Sequence, residues 1–207
     1  QTFLQTISYS DTTWSLLFNA NENSVFSNTQ LRQALAGIAL QNLEVPSSGL
    51  YTAASGLVPD GLTVDDIDYR STAGNVVPKI TDAKALYLAA RQGIETTAFN
   101  GVTLLLPKEA GLTELAEQIN SAWQKDCSLF FSVEEVPQEE FDARIASGNY
   151  TIAFAPIRAE GGSVYQMLRQ FTAGGGGLTG YSDELYTARL AESAQQTGSA
   201  RCQLLAQ

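Results

Sequence analysis

The sequence contains no histidine, and this absence excludes several common catalytic arrangements. Neither a Ser-His-Asp triad nor a Cys-His pair can form, and no SxxK motif is present from which a Ser-Lys variant could start. The only cysteines, Cys127 and Cys202, form no CxxC pair, so a zinc site would depend on carboxylates and two isolated thiols. We therefore expect no metal site. We also expect both cysteines to be free, buried thiols, with a disulfide between them as the alternative.

Basic residues are also scarce. The chain has 12 Lys and Arg against 22 Asp and Glu, which gives a formal net charge of -10. Binding to nucleic acid requires clustered cations, so this balance argues against a nucleic-acid partner and disfavours anionic membrane surfaces as well. The excess of negative charge favours solubility, and the attraction of cationic ligands is the second interpretation.

Long apolar runs are missing. Hydrophobic residues make up 44% of the sequence, but no run approaches the roughly 20 residues that cross a bilayer. Residues 1–14 lack the basic and apolar regions of an export signal, so we expect any signal or lipid anchor to have been removed. A chain of 207 residues buries about 70% of its unfolded surface, enough for one domain or two small ones, and one domain is the favoured interpretation.

Strand and helix patterns alternate along most of the chain. Strands are predicted at 2–7, 14–18, 102–106, 129–136 and 150–155. Helices are predicted at 27–40, 82–92, 113–125, 138–146, 163–171, 183–193 and 199–206. This alternation implies βαβ crossovers and an α/β fold with a central mixed, largely parallel sheet flanked by helices, to which the N-terminal strands are added.

Two segments between these elements have weak periodicity. Residues 41–78, which include an acidic cluster of Asp65, Asp66 and Asp68, predict a long structured connection that packs over the domain. Residues 174–177 are four consecutive glycines, but no Gly-Lys-Ser/Thr follows them and no strand directly precedes them. They therefore predict a surface loop and not a phosphate-binding loop.

Two pairs of adjacent carboxylates, Glu134 with Glu135 and Glu139 with Glu140, are the remaining candidates for acid-base chemistry. Neighbours on a strand face opposite ways and neighbours on a helix diverge, which separates the members of each pair. The second pair also follows Pro137, in a first helical turn where acids interact favourably with the helix dipole. We interpret both pairs as structural, assign no catalytic residue, and expect the protein not to be an enzyme.

The most informative stretch is 150–168, where a β-rich apolar run gives way to a polar loop with glycines and then to an amphipathic helix. In open α/β sheets such loops lie outside the carboxyl ends of strands, where ligands bind. Glu160 is the one acid in this loop and is the first candidate for a ligand contact. The alternative is a solvated carboxylate that interacts with the dipole of the following helix.

Motifs in a fixed order along nearly the whole chain resemble those of a known family. They are Phe18-Asn19 at a strand end, LRQALA at 31–36, GLVPDG at 56–61, DAKALYLAARQG at 82–93, FDARIASGNY at 141–150, and a tail with Gly180, Tyr181, Asp183, Leu185 and Arg201. In this order they resemble the second, ligand-closing lobe of the family 5 extracellular solute-binding proteins, the dipeptide and oligopeptide binders of ABC importers. The resemblance implies that residues 1–207 are a single lobe of a two-lobe periplasmic-binding-protein fold, whose other lobe is absent from this chain.

The resemblance also assigns roles in the loop after the last strand. Family members often carry Trp-x-Ala-Asp-Tyr-x-Asp-Pro there, and the first Asp can neutralise the terminal amine of a ligand. Gapless pairing places Ala159 and Glu160 on Ala-Asp and Ile157 on the Trp position, while Gly161 replaces Tyr, so the aromatic wall is missing. The implied ligand-binding residues are Glu160, Arg158, Ile157 and Gly161. Arg158 would bind a ligand carboxylate or form a salt bridge with Glu160.

These inferences favour a two-lobe clamp that captures a peptide or a similar amine-bearing solute by hinge closure, without a cofactor. An ABC permease would read the closed form, and the full-length protein would be an extracellular or periplasmic monomer anchored as a lipoprotein. The second hypothesis is a ligand-sensing lobe of a regulator or signalling protein, and a stand-alone enzyme is the third. The resemblance leaves open peptide length and cargo such as sugars, opines or nickel complexes.

Overall fold

The computed structural model describes residues 10–45, 51–180 and 183–207. The central sheet contains β1 (Thr12–Phe18), β4 (Thr103–Pro107), β5 (Ser132–Val136) and β6 (Ile152–Arg158), in the order β1-β6-β4-β5. A second, two-stranded sheet contains β2 (Thr63–Val64) and β3 (Ile67–Asp68). The predicted strand at 2–7 and Tyr181 of the tail motif lie outside the described residues.

The central sheet is mixed. β4 runs parallel to both β5 and β6, whereas β1 is an edge strand antiparallel to β6, with Phe18 opposite Ile152 and Thr12 opposite Arg158. The parallel pairs are joined by crossovers that contain helices, as strand and helix alternation requires. The predicted mixed, largely parallel sheet is confirmed.

β6 continues beyond its predicted end, although Pro156 has no N–H to donate. Ala159 N donates to Asp11 O (2.7 Å). Because the backbone groups of alternate residues in a strand face the same neighbour, the odd-numbered residues of β6 bond to β1. Pro156 therefore faces the opposite side, where the pairing with β4 ends at Ala153. Because the proline interrupts no bond to β1, the strand continues past it.

Eight α-helices surround the sheet in the described part of the chain. They are α1 (Thr29–Asn42), α2 (Tyr69–Ala73), α3 (Ala83–Ala90), α4 (Thr113–Cys127), α5 (Gln138–Ser147), α6 (Val164–Arg169), α7 (Glu184–Ser193) and α8 (Gly198–Leu205). Asn28 and Asp82 accept hydrogen bonds from the first turns of α1 and α3, as expected of N-cap residues. All seven predicted helices are present, with small shifts at their ends. None of the described helices has the length and apolar character needed to cross a membrane.

The sheet separates two buried clusters, because successive residues of a strand face opposite sides. In β4, Leu104 and Leu106 belong to the first cluster and Leu105 to the second. Helices α1, α3 and α4 cover the first face, where Trp123 Nε1 donates to Leu35 O (2.9 Å). Residues of α2 and of α5 to α8 contribute to the cluster on the second face. The chain thus forms three layers, with the sheet in the middle.

The long connection after α1 contains a hairpin and a short helix that were not predicted. Asp65 and Asp66 form the two-residue turn between β2 and β3, with φ values of 49° and 67°. Asp65 also accepts hydrogen bonds from Gly198 N (2.7 Å) and Arg201 Nη1 (3.2 Å), which attach α8 to the hairpin. Asp68 caps α2. In the acidic cluster, Asp65 and Asp66 therefore form a turn, Asp65 also holds α8, and Asp68 caps a helix.

The two cysteines are unpaired and buried, as predicted. Cys127 belongs to the first cluster and Cys202 to the second, so the sheet lies between them. Burial raises the pKa of the Cys127 thiol to about 12, which keeps this side chain protonated at neutral pH. Both residues therefore act as small apolar side chains in separate parts of the core.

Candidate ligand-binding site

The candidate site lies at the edge of the sheet where the parallel strands end. β4 ends at Pro107, which the β4–β6 register aligns with Ala155, whereas β6 continues to Arg158. The last residues of β6 thus project beyond β4 and lead into the Glu160 loop, which we define as residues 159–163. The carboxyl edge of such a sheet is where ligands of open α/β proteins bind.

Backbone hydrogen bonds fix the conformation of the Glu160 loop. Ala159 N donates to Asp11 O (2.7 Å), which continues the pairing of β6 with the chain before β1. Gly162 N donates to Ala159 O (2.8 Å), and Ser163 N donates to Glu160 O (3.1 Å). Ser163 then caps α6 with its side chain. The loop is therefore held at both ends and by bonds within it.

Arg158 and Glu160 present opposite charges at this loop, and both are exposed. Neither side chain forms a hydrogen bond or an ion pair with any residue that the structure describes. The alternative in which these two residues form a salt bridge with each other is therefore not observed. Both charges remain accessible to a ligand.

Inward and outward side chains alternate through the end of β6. Ile157 is only 1% exposed and Ala159 is fully buried, while Arg158 and Glu160 face outward. The expectation that Ile157 contacts the ligand is corrected by this burial, because its side chain packs in the core. Gly161 is exposed with a φ of 60°, and a Cβ at this position would meet no atom within 4 Å. The surface above Gly161 is therefore open.

Three of the four carboxylates in the two adjacent pairs have structural partners. Glu134 accepts two hydrogen bonds from Arg144 (2.6 and 3.1 Å), and these bonds hold the pKa of Glu134 below its ordinary value. Glu135 accepts a hydrogen bond from Thr113, and Glu140 lies 3.9 Å from Arg144 Nη1. These contacts support the structural interpretation of both carboxylate pairs.

Two residues that support the loop were not among the predicted site residues. Asp11 contributes only its backbone oxygen, which any residue could supply, so its residue type gave no signal. The side-chain Nε2 of Gln170 donates to Arg158 O (2.8 Å) from the end of α6. A contact between a helix end and a preceding strand end depends on how the two elements pack, and sequence periodicity does not report it.

Asn19, from the motif that ends β1, has a structural role at the opposite edge of the sheet. Its Nδ2 donates to Gly148 O (3.0 Å) and Tyr150 O (2.9 Å), and its Oδ1 accepts from Asn21 N (3.2 Å). These bonds join the end of β1 to the connection that enters β6. Because this edge holds the amino end of β6, Asn19 stabilises the pairing of the two strands and lies far along β6 from Glu160.

No protein-family model and no curated protein sequence matches this chain. Solved structures match it in fold. The substrate-binding domain of the oligopeptide ABC transporter from Bacillus anthracis str. Ames aligns over 96% of this chain, with a TM-score of 0.78 and 16% sequence identity. Listeria monocytogenes OppA, bound to peptide, aligns over 95% of this chain, with a TM-score of 0.78 and 20% identity.

The chain spans 41% of the Bacillus protein chain and 39% of the Listeria one. A third structure, the peptide-binding protein of a peptide ABC transporter, aligns over 95% of this chain and 92% of its own, with a TM-score of 0.74 and 18% identity. Similarities at these identities show a shared fold. This chain therefore has the fold of the part that it matches in the substrate-binding proteins of peptide ABC transporters, and the resemblance inferred from the motifs is confirmed in fold.

Proposed function

We propose that this chain is one ligand-binding lobe of an extracellular solute-binding protein that captures peptides or similar amine-bearing solutes. Its fold is shared with peptide-binding proteins of ABC transporters, one of them solved with a bound peptide. The chain spans about two-fifths of the first two proteins, which supports the proposal that a second lobe completes the ligand site.

The observation that carries the proposal is the state of Glu160. Its carboxylate is exposed and has no partner among the residues that the structure describes, and its loop has a backbone fixed at the carboxyl edge of the sheet. A fixed carboxylate can accept a charge-assisted hydrogen bond from the terminal ammonium group of a peptide without first breaking another bond. Closure of a second lobe over the loop removes water, which strengthens this interaction.

Arg158 and Gly161 complete the proposed contact surface. The guanidinium group of Arg158 is exposed and pairs with none of the described residues, and its planar geometry suits a ligand carboxylate. The open surface at Gly161 lets a ligand approach the backbone closely. Ile157 has no part in this surface, because it is buried.

The remaining parts of the proposal concern partners and location. The protein would be a monomer that closes by a hinge around its ligand, and an ABC permease would recognise the closed form. It would act outside the cytoplasmic membrane, anchored as a lipoprotein. The net charge of -10 fits a soluble surface that does not bind nucleic acid.

The test is Glu160→Gln in the full-length protein, assayed by calorimetry against a free peptide and its N-acetylated form. The amide keeps the size of the side chain but removes its negative charge. A charge-assisted hydrogen bond to an amine contributes about 1.5 to 3 kcal/mol, so free-peptide affinity should fall roughly ten- to a hundredfold. Affinity for the acetylated peptide should stay nearly constant, since that peptide has no terminal charge.

Glu109→Gln is the matched control. Glu109 is exposed and lies in the turn that follows β4, at the same edge of the sheet, so the substitution makes the same charge change nearby. It should leave the preference for the free peptide intact. Equal losses for both peptides in Glu160→Gln, or no loss for either, would show that Glu160 is a solvated loop residue and would make Arg158 the next residue to test.

A further inference from the structure

The backbone oxygen of Arg158 has an unusual partner for the last residue of a strand. In β6 the odd-numbered residues bond to β1, so the C=O of Arg158 faces the β4 side of the sheet. β4 does not extend that far, because its last residue, Pro107, aligns with Ala155. None of the described strands therefore supplies a partner for the Arg158 carbonyl.

The side chain of Gln170 takes the place of that strand. Its Nε2 donates to Arg158 O (2.8 Å) and also lies within hydrogen-bonding distance of Met167 O (3.3 Å). Gln170 is the C-cap residue of α6, directly after Arg169, and its backbone oxygen accepts from Leu178 N (3.0 Å). One residue thus connects the end of β6, the last turn of α6 and the segment that follows.

The position of this bond relates it to Glu160. The Arg158 carbonyl lies immediately before the Glu160 loop, while α6 lies immediately after it. The Gln170 bond therefore joins the residue before the loop to the helix after it. On the other side, Ala159 N is bonded to Asp11 O. Without the Gln170 bond, the Arg158 carbonyl would have no partner among the described residues, and only the β1 side and the two bonds within the loop would restrain the peptide units from which Arg158 and Glu160 project.

We propose that Gln170 is a positioning residue for ligand recognition, which fixes the Glu160 loop so that the carboxylate of Glu160 meets the ligand amine. This inference rests on the proposed function, because it assumes that Glu160 contacts the amine. Gln170 acts through the backbone and touches no ligand. Its contribution is preorganisation, since a loop that is already ordered loses less conformational entropy on binding.

The test compares Gln170→Met with Gln170→Lys in the full-length protein. Met has a similar length but no donor, whereas Lys retains donors that can reach the Arg158 carbonyl. The first measurement is the ratio of affinities for a free peptide and its N-acetylated form. Gln170→Met should lower this ratio about three- to tenfold. Gln170→Lys is compared by loop exchange, which it should keep near the wild-type rate, because its new positive charge would itself repel the ligand amine and alter the affinity ratio. A general loss of stability would leave the ratio unchanged.

The second measurement is amide hydrogen exchange of residues 158–163 without ligand. Gln170→Met should increase exchange at Gly162 and Ser163 about threefold or more, because the loop then opens more often. The matched control is Gln166→Met. Gln166 is exposed on the same helix, and its side chain forms no hydrogen bond within the described structure. This control should change neither measurement.

The outcomes separate the positioning role from the proposed function. Unchanged loop exchange and an unchanged affinity ratio in Gln170→Met would overturn the positioning role, while a lowered ratio in Glu160→Gln would still support the amine contact. If Glu160→Gln itself leaves the ratio unchanged, the amine contact is wrong. Faster loop exchange in Gln170→Met would then identify its hydrogen bond as purely structural, which also overturns the positioning role.

Discussion

The side-chain amide of Asn120 forms two hydrogen bonds with the backbone of Phe131. Asn120 Nδ2 donates to Phe131 O (2.6 Å), and Phe131 N donates to Asn120 Oδ1 (3.1 Å). Both residues are only 2% exposed, so water cannot replace either bond. Through this pair, α4 satisfies the backbone that enters β5. Asn120 is one of the few buried polar residues in the described part of the chain, and its burial depends on this complementarity.

Asn120→Asp should destabilise the fold strongly at neutral pH. A carboxylate can accept from Phe131 N, but its second oxygen would face the carbonyl oxygen of Phe131 without a proton between them. We expect a loss of about 3 kcal/mol in the free energy of unfolding at pH 7, measured by urea denaturation. Because the protonated carboxyl can donate to Phe131 O, folding raises the pKa of the new carboxyl. The loss should therefore shrink as the pH falls toward 5.

Asn120→Leu is the control for this prediction. It removes both hydrogen bonds, leaves two buried backbone groups unsatisfied, and should cost about 2 to 4 kcal/mol at every pH in the same range. If the free energy of unfolding lost in Asn120→Asp does not depend on pH, the protonated carboxyl does not form the expected hydrogen bond to Phe131 O.

Glycine substitutions in the β2–β3 turn should have opposite effects at adjacent positions. Asp65 and Asp66 both have positive φ, which glycine adopts without strain. The side chain of Asp66 forms no hydrogen bond with the described residues, so Asp66→Gly should raise the free energy of unfolding by about 0.5 kcal/mol. Asp65→Gly removes the acceptor for Gly198 and Arg201 and should lower the free energy of unfolding by about 1 kcal/mol.

Thermal unfolding and proteolysis distinguish these two variants. In Asp65→Gly, α8 should become susceptible to protease before the rest of the chain, because its anchor to the hairpin is lost. In Asp66→Gly, the cleavage pattern should match that of the wild type. Stabilisation by both substitutions would show that the Asp65 contacts add nothing to stability.

The buried thiol of Cys127 should make stability depend on pH in the alkaline range. Its pKa rises from an ordinary value near 9 to about 12 in the folded protein, mainly because burial disfavours the thiolate. Above pH 9 the unfolded chain releases this proton while the folded chain retains it, so stability is lost as the pH rises toward 12. The slope contributed by this one group approaches about 1.4 kcal/mol per pH unit.

Cys127→Ala isolates this contribution. The variant is less stable at pH 8 because a cavity replaces the sulfur, but the difference from the wild type should narrow between pH 9 and 10.5. A constant difference would contradict the assigned pKa. Thiol titration gives an independent check, since both Cys127 and Cys202 should react only after denaturation.

A polypeptide limited to residues 1–207 should bind peptides very weakly. The Glu160 loop lies at an exposed edge, and peptide affinity requires enclosure that removes most of the ligand surface from water. Calorimetry on this polypeptide should show no binding in the low micromolar range. Submicromolar affinity would show that a second lobe is not needed.

Helices and their caps were the most predictable part of the fold, because their signals are local. The apolar spacing in α1 is readable in the sequence, and the helix is observed with Asn28 as its cap. The β2–β3 hairpin was missed because strands of two residues have no measurable period. The Asp65-Asp66 pair was predicted only as part of a long structured connection, and the long-range bond from Asp65 to α8 was not accessible from the sequence.

The candidate site was only partly predictable from the sequence, for a different physical reason. The predicted strand ended at Ala155, before Pro156, but the missing N–H of a proline matters only on the side where a neighbouring strand is paired. Alternation places Ile157 on the face of Ala153 and Ala155. It places Arg158 on the face of Ile152 and Phe154, and because both faces are buried up to Ala155, alternation alone could not show that Arg158 lies outward. Gln170 replaces a strand that is too short, so its role depends on the relative lengths of β4 and β6.

The pairing of β1 with β6 also sets the order in which the chain can fold during synthesis. β1 forms no ladder with any other described strand, and most of the helices and both of the other strands of the central sheet lie between them in the sequence. At ribosomal rates of roughly 5–20 residues per second, β1 emerges on the order of ten seconds before β6. During that interval the backbone groups of β1 that bond to β6 in the folded protein have no strand partner. The nascent chain therefore carries an unpaired strand edge until β6 is synthesised. The late pairing of β6 with β1 is the step at which aggregation competes with folding.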